Sequence, residues 1–573
     1  MATTNIASES SSGRKMTLAG FGVPLLLFAA VFSSYLHGHM GCVDSMWSIP
    51  TAVSLLDRWD VDLDEFTSLL EARRFSFTEQ VGGRRYTVYP FATSVLAAPF
   101  ILGLRPLADA VFRMWPSLRA DMQRAQAERG CAPLPAEPVV SLHSWTEQIV
   151  ASAIVALTAV ILYTIAHGEL SAGGAALIAL IFAFGTSAWS TASRSLWQHG
   201  PSMLMLSLAL MLQRPPSPQN LPGGAARLFF VGAVLAFAYA IRPTNAVPLA
   251  LGAAWVALCY PRRLLSCLAG VGVVLVPFLA ANQIIYGAWL PPYFSPQFFG
   301  GRNPFFGEAL AGSLVSPGRG LLIYSPVLLF VAAGVAIKIQ ARRFTALDLS
   351  VLMCIFLHWI GTAWVNRVWW GGYSYGPRFF TDMLPYLVYF LIPVVGWLGS
   401  TSGVRRAVVG TAFVVAATIS VLMHAQGVFN RGTVLWNQRP MSIDIDPARL
   451  WDWHRPPFLA GVQAPQEAEA LAPDAIRCET APSSPERLTT VENNRGMVTL
   501  SWSPAAGVVA SYILDVGTGP GLADLASQEI RTVRQTSLTV SRAPPGRYYV
   551  RVRAKNPCGI SSPSNEILVV VQY

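Results

Sequence analysis

Read from its N-terminus, the chain alternates long apolar runs with short polar breaks. Leu18–Leu36 carries no charge, a length that crosses a hydrocarbon core of about 30 Å as a helix. Leu264–Tyr286 and Ala407–Met423 read the same way. Nine further runs are short of charge: Pro90–Leu104, Ile149–Ile165, Ala172–Ser193, Met203–Leu212, Phe229–Tyr239, Asn245–Tyr260, Leu321–Ile337, Leu349–Trp364 and Met383–Leu398. The pattern predicts twelve candidate spans. From about Ala481 the period changes. Val498, Leu500 and Trp502 share one face of an alternating segment, and Tyr548, Val550, Val552 and Ala554 share another, as a half-buried sheet requires.

Composition agrees with a membrane solvent, because 53% of the 573 residues are hydrophobic and only 13% are charged, too few to clothe several soluble domains. The net charge of +10 is compatible with a nucleic-acid partner, but the basic residues sit in short clusters at the ends of apolar runs, so no nucleic acid is expected. Arg14 and Lys15, Arg262 and Arg263, Lys338 with Arg342 and Arg343, and Arg405 with Arg406 read as cytoplasmic anchors. They place the N-terminus in the cytoplasm of a multi-pass cell (inner) membrane protein, and everything after about residue 424 on the external, periplasmic side. A cytoplasmic start and an external end require an odd number of crossings, so one of the twelve runs does not span. Either Pro90–Leu104 is re-entrant or interfacial, since a polar segment with Arg113, Arg119, Arg124 and Arg129 follows it, or the short Met203–Leu212 run stays on one side. The first run is longer than a usual signal-peptide core and no small-residue cleavage site follows it, so it reads as a retained span.

The expected fold is mainly α: a polytopic transmembrane helical bundle of roughly 11–13 spans, followed by an all-β sandwich. The divisions are a cytoplasmic tail (1–16), a multi-span membrane domain (17–424) with an external loop at 38–89, an external interfacial segment and linker (425–480), and the sandwich (481–573). Pro485, Trp502, Tyr512, Leu538, the PGRYYVRVRAKN run and the closing GISSPSNE resemble a fibronectin type III domain over about 90 residues. The resemblance implies a seven-strand Greek-key sandwich with Trp502 in the core and Tyr548 as the corner tyrosine. Such modules bind or space, so no chemistry is assigned to it. Cys478 and Cys558 fall near the same end of the sandwich, where pairing and free thiols are both open readings. Cys259, Cys267 and Cys354 fall in or beside spans and read as small packing residues.

Candidate chemistry concentrates in the first external segment, between His37 and Tyr89. Asp44 stands a few residues beyond the membrane surface in GCVDSMWSIPTAVSLL, and DVDLDEF follows with Asp60, Asp62, Asp64 and Glu65. A carboxylate held at the interface is suited to general-base work on a hydroxyl acceptor whose other substrate is lipid-linked. The DVDLDE acids read as solvated loop charges. With Asp44, the 46–75 segment and Tyr89-Pro90 before the next run, the layout over residues 17–455 resembles the GT-C superfamily of membrane glycosyltransferases, which includes protein O-mannosyltransferases and lipid A aminoarabinose transferases. That resemblance implies a catalytic role for Asp44. Ser45 stands where some members have a second acid, which leaves a divalent metal open; the sequence itself requires no cofactor.

Three other stretches fit an external active face under that resemblance. SAWSTASRSLWQHGP brings Arg194 and His199 to a membrane edge. AIRPTNAVP places Arg242 at a break between runs, and NRVWWGGYSYGPRFFTD holds Trp369, Trp370, Tyr373, Tyr375, Arg378 and Asp382. A polyprenyl-phosphate leaving group needs cations, and the guanidinium fork suits it, so Arg378 and Arg242 are the candidate phosphate ligands. Trp370, Tyr373, Tyr375, His199 and Arg194 are candidate substrate contacts. The expected reaction is inverting transfer from a lipid-linked sugar donor to an acceptor that is a glycan, a lipid or a protein, amid membrane lipids. The alternatives are a transporter or lipid flippase, which calls for internal repeats and mid-membrane charges, and a non-catalytic envelope scaffold displaying the β module.

Overall fold

The computed structural model describes residues 18–572 except 37–43, 74–75, 129–134, 215–223, 296–302, 440–441, 445, 462–478, 495–496, 531–535, 542 and 544. A helical bundle is followed by a β-sandwich, and helices occupy each of the twelve apolar runs. Among the described residues six helical segments are long and apolar enough to cross a membrane by themselves: Ala92–Met114, His143–His167, Pro261–Tyr286, Ala346–Val365, Arg378–Ser400 and Val404–Phe429. The chain is a multi-pass membrane protein. Local chemistry sets the helix ends. Thr345 and Asp348 form a reciprocal capping box that starts the Ala346–Val365 helix. The Ala225–Ile241 and Leu264–Tyr286 helices touch backbone to backbone, because a Cβ on Gly232 would lie 2.0 Å from the Cys267 carbonyl oxygen and one on Gly270 would lie 1.9 Å from that of Phe229. Only glycine permits that approach, the small-residue packing that lipid-embedded helices use in place of a hydrophobic driving force.

Ala92–Met114 is tied closely to the segments on either side of it in the chain. It starts next to Tyr89, whose hydroxyl bonds Asp44. Further along, Arg105 pairs with Asp57 of the Ser48–Arg58 helix at 2.7 Å and with Glu137 at 3.4 Å. The following helix, Pro116–Glu128, brings Arg119 back onto the Ala136 carbonyl at 3.0 Å. The chain then enters His143–His167, near whose start Glu147 accepts the N–H of Leu196 at 2.8 Å, three residues before His199. Every one of these contacts lies on the Asp44 side. Leu102, Leu107 and Met114 are exposed on this helix.

At the opposite ends of the helices Lys338 pairs with Asp348, which also accepts from the Tyr389 hydroxyl at 2.7 Å, and Arg214 pairs with Glu169. On the site side a hairpin, β1 (Thr78–Val81) and β2 (Arg84–Thr87), is tied down by the DVDLDE acids. Asp62 is fully buried and pairs with Arg84 at 2.9 Å, and Asp64 accepts the N–H of Arg85 at 2.9 Å. These acids are anchors and not solvated loop charges.

The sandwich comprises β3 (Glu486–Asn494), β4 (Met497–Ser503), β5 (Ser511–Gly517), β6 (Ala526–Ile530), β7 (Ser537–Ser541), β8 (Gly546–Asn556), the two-residue β9 (Gly559–Ile560) and β10 (Ile567–Val571). One sheet runs β10-β8-β5-β6, with β9 pairing β8, and the other runs β3-β4-β7. Val498, Leu500, Trp502, Val550, Val552 and Ala554 all point into one core, as the alternation predicts, and Tyr548 packs partly buried against it. Trp502 meets Tyr512 edge to face at 5.5 Å between ring centroids. Cys558 is disulfide-bonded. Cys478 lies outside the described residues, and Cys259, Cys267 and Cys354 are free.

Candidate functional site

The site begins with a break after the first span. Asp44 opens the turn before the Ser48–Arg58 helix, and its carboxylate faces the bundle. One oxygen accepts from the Tyr89 hydroxyl at 3.0 Å, and the other is held by Nη2 of Arg378. Arg378 opens a 3-10 turn, Arg378–Met383, that feeds the Leu384–Tyr389 helix, so its backbone is fixed by the bundle while its side chain reaches out. Its guanidinium lies over the Trp197 ring at 4.2 Å, donates from Nη1 to the Gly371 carbonyl at 3.1 Å, and approaches Nε2 of His199 from Nε at 3.2 Å. Gly371 has φ +74, and a Cβ there would stand 3.1 Å from Cδ of Arg378. Glycine is required on both counts.

His199 caps the other side of this array. A π-helical turn, Ala188–Ala192, ends the preceding helical stretch early and leads through a buried turn to the His199–Gln213 helix, whose first residue is the histidine. Its Nδ1 is 3.0 Å from Oδ1 of Asp382, while Nη1 of Arg242 stands 2.5 Å from Nδ1 and 3.0 Å from Nε2. Arg242 sits at the C-cap of the Ala225–Ile241 helix with extended backbone, and its Nε approaches Oδ2 of Asp382 at 3.2 Å. Five charged or titratable side chains, Asp44, His199, Arg242, Arg378 and Asp382, thus form one continuous array. Its inner part is closed to water, since Asp382, His199 and Arg242 are 0%, 1% and 5% exposed. Its outer edge is open at Asp44, whose side chain is 31% exposed.

The outer edge sets the electrostatics. Burial pushes the Asp44 carboxyl upward, but the charge and hydrogen bond of Arg378, with the Tyr89 hydroxyl, outweigh it and hold the group below its ordinary value. Tyr89 moves the other way: burial and the adjacent Asp44 charge raise it, so its hydroxyl keeps its proton and donates. Tyr293 packs its ring against Tyr89 at 5.0 Å and closes that flank. Among the described residues no three His, Cys, Asp or Glu side chains come together in a way that could hold a metal ion.

The remaining sequence candidates lie apart from this array. Arg194 donates from Nη1 to the Gly427 carbonyl at 2.7 Å, and Tyr375 donates to the Met423 carbonyl at 2.7 Å; both tie the loops to the end of the Val404–Phe429 helix. Trp370 donates to Asp444 at 2.7 Å, and Tyr373 bonds Ser442 at 2.6 Å, on the segment after the last span. Sequence reasoning assigned no role to Tyr89, Trp197, Asp382 or Tyr293. Asp382 and Trp197 sat in stretches already singled out, and Tyr89 preceded Pro90 at the end of the external loop. Tyr293, in LPPYF, carried no signal beyond two prolines.

The fibronectin type III family model matches residues 483–570. This part of the chain is a fibronectin type III domain. The domain is similar to solved structures of titin kinase and its flanking domains (22% identity, TM-score 0.14, 16% of this chain and 18% of that one) and of chicken CNTN1 FN1–FN3 (19% identity, TM-score 0.15, 17% and 34%). This chain therefore spans well under two thirds of either. A structure of ArnT from Cupriavidus metallidurans bound to undecaprenyl phosphate is similar over 73% of this chain and 69% of that one, at 13% identity and a TM-score of 0.43. No curated protein matches the chain.

Proposed function

We propose that the chain is a membrane glycosyltransferase that moves a sugar from a polyprenyl-phosphate donor to a hydroxyl acceptor, with Asp44 as the base and Arg378 and Arg242 as the phosphate ligands. The observation that carries this reading is the contact between Asp44 and Arg378 at the open edge of an array that also holds Arg242. A base and a phosphate-binding cation must flank the same anomeric carbon, and here they begin in contact. In this reading the donor phosphate takes Arg378 from Asp44 and frees the carboxylate to receive the acceptor's proton. The acceptor oxygen then attacks the anomeric carbon, the bond to the phosphate oxygen breaks with its electron pair, and the arginines neutralise the charge that develops there. A single displacement of this kind inverts the anomeric centre. Asp382, buried between Arg242 and His199, keeps the inner arginine aimed at the phosphate.

The site face is then the external, periplasmic face of the cell membrane, and the fibronectin type III domain stands on that side. Undecaprenyl phosphate, the ligand of the ArnT structure, is a fitting carrier for a first donor panel. The test is label transfer from radiolabelled undecaprenyl-phosphate sugars to membrane acceptors in vesicles with and without the protein. Protein-dependent transfer from at least one donor is expected, and its absence across the panel contradicts the proposal.

A further inference from the structure

We propose that His199 is a second proton carrier of the site: it takes up a proton when the anionic donor binds and delivers that proton to the departing phosphate. This rests on the polyprenyl-phosphate reading above and adds a role that the base and the arginines leave unfilled.

Geometry defines which nitrogen is available. Nδ1 stands 3.0 Å from Oδ1 of Asp382 and 2.5 Å from Nη1 of Arg242; a carboxylate only accepts, so we take the N–H to be on Nδ1, aimed at Asp382, with the lone pair on Nε2. Nε2 in turn is approached by Nε of Arg378 at 3.2 Å and Nη1 of Arg242 at 3.0 Å, the two cations assigned to the phosphate. The imidazole is thus a basic nitrogen, closed to water, at the junction of both phosphate ligands.

Charge defines why it is used. The groups facing the ring are Arg242 from the end of its helix, Arg378 and Asp382 from the 3-10 turn, and Asp44 from the first external turn. Tyr293 and His358 are the neutral titratable neighbours of that set. Two carboxylates against two guanidiniums leave the array neutral around a neutral imidazole. A phosphodiester brings one uncompensated negative charge into this largely buried site, and unpaired charge in such surroundings is costly. A proton from water onto Nε2 restores neutrality. When the anomeric bond breaks, the phosphate becomes a monoester dianion whose protonation constant is about 6, and the Nε2 proton passes to its oxygen. The histidine returns to its neutral form, the product leaves as a monoanion, and Asp44 releases the acceptor's proton to water. One proton enters on binding and one is released after transfer, so the cycle balances.

A histidine that only packs between the arginines takes up no proton. The probe is the methyl ester of a ten-carbon polyprenyl phosphate, a monoanion that does not titrate near neutrality. Its binding to the purified full-length protein is measured calorimetrically at pH 7 in two buffers of different ionisation enthalpy. The expected result is uptake of about one proton per bound ligand, lost in His199→Gln while the ligand still binds. Uptake absent from the wild-type protein overturns the proposal, and that arm needs no variant to fold. Uptake unchanged in a folded His199→Gln also overturns it, because Asp44 is then the group that charges. Failure of the ester to bind the wild-type protein at all is a separate result that contradicts the donor reading itself.

Discussion

Asp44 and Arg378, 334 positions apart in the chain, close on one another as an ion pair at the mouth of a largely buried charged array. The pair joins the first external turn to the turn after the Ala346–Val365 helix. Each partner is also held by a neutral group, Asp44 by the Tyr89 hydroxyl and Arg378 by the Gly371 carbonyl. The proposed base and the proposed phosphate ligand therefore stand side by side before any substrate arrives, and the proposed mechanism begins when the donor phosphate separates them.

Removing the fork tests that arrangement. Arg378→Gln is expected to lower kcat/KM for donor by roughly two to three orders of magnitude, about 3–4 kcal/mol, the usual scale for one preorganised charge-stabilising group. Arg378→Lys keeps the charge but cannot bridge Asp44, His199 and Gly371 at once, so it recovers only part of the loss. Steady-state transfer in vesicles measures both.

The acid limb of the pH profile follows from the lowered Asp44 carboxyl. Its folded value lies below its ordinary one, so the carboxylate contributes stability above the ordinary carboxylate range of about 3.9 and loses it as pH falls through the folded value. By the same sign the wild-type base stays ionised to below that range. Arg378→Gln removes the main opposing influence and leaves burial to act, so the acid limb of kcat/KM is expected to move upward. An unchanged limb contradicts the assignment of Asp44 as the titrating base.

Tyr89→Phe deletes one hydrogen bond to the base without adding charge. A hydrogen bond to a charged group contributes about 1.5–3 kcal/mol, so a fall in kcat/KM of roughly ten- to a hundredfold and a smaller upward move of the acid limb are expected. Donor-saturation kinetics across pH distinguish this from a folding defect.

Gly371→Ala and Gly372→Ala separate strain from geometry. Both positions have positive φ, +74 and +63, so each alanine costs about 1–2 kcal/mol of backbone energy. Only at Gly371 does the added Cβ meet Arg378; at Gly372 nothing stands within 4 Å. Comparable losses of thermal stability are expected, with weakened donor binding confined to Gly371→Ala.

In the C-terminal domain, Trp502→Ala empties a core position that is 3% exposed. A loss of about 3–5 kcal/mol is expected, visible as limited proteolysis within residues 483–570 at protease concentrations that the wild-type domain withstands.

The apolar runs were legible because lipid demands them one helix at a time, and the sandwich because alternation and turn residues carry its register. Parity left one of the twelve runs in question and could not say which; Ala92–Met114 is apolar enough to cross, and its tie through Arg105 to Asp57, 48 positions away, is written in no local spacing. In the site, Arg242, Arg378 and His199 stood out as charged or titratable side chains at membrane edges, where each is costly without a partner, and Asp44 stood out through the family resemblance. Their mutual contacts were invisible. Arg194 and Tyr375 gave the same signal and met backbone carbonyls, a destination that no spacing encodes. Tyr89 was noted only as part of the Tyr-Pro entry to the next run, and Trp197 was passed over, because aromatic residues are ordinary at that depth. The DVDLDE cluster was read as solvated because acids on a loop usually are, whereas Asp62 is buried against Arg84.

The most direct measurement compares label transfer from a polyprenyl-phosphate sugar by the wild-type protein and by Asp44→Asn in the same vesicles, at matched protein level and thermal stability. Transfer by the wild type that collapses in the variant while donor binding persists is the predicted result. Transfer that survives in the variant contradicts Asp44 as the base.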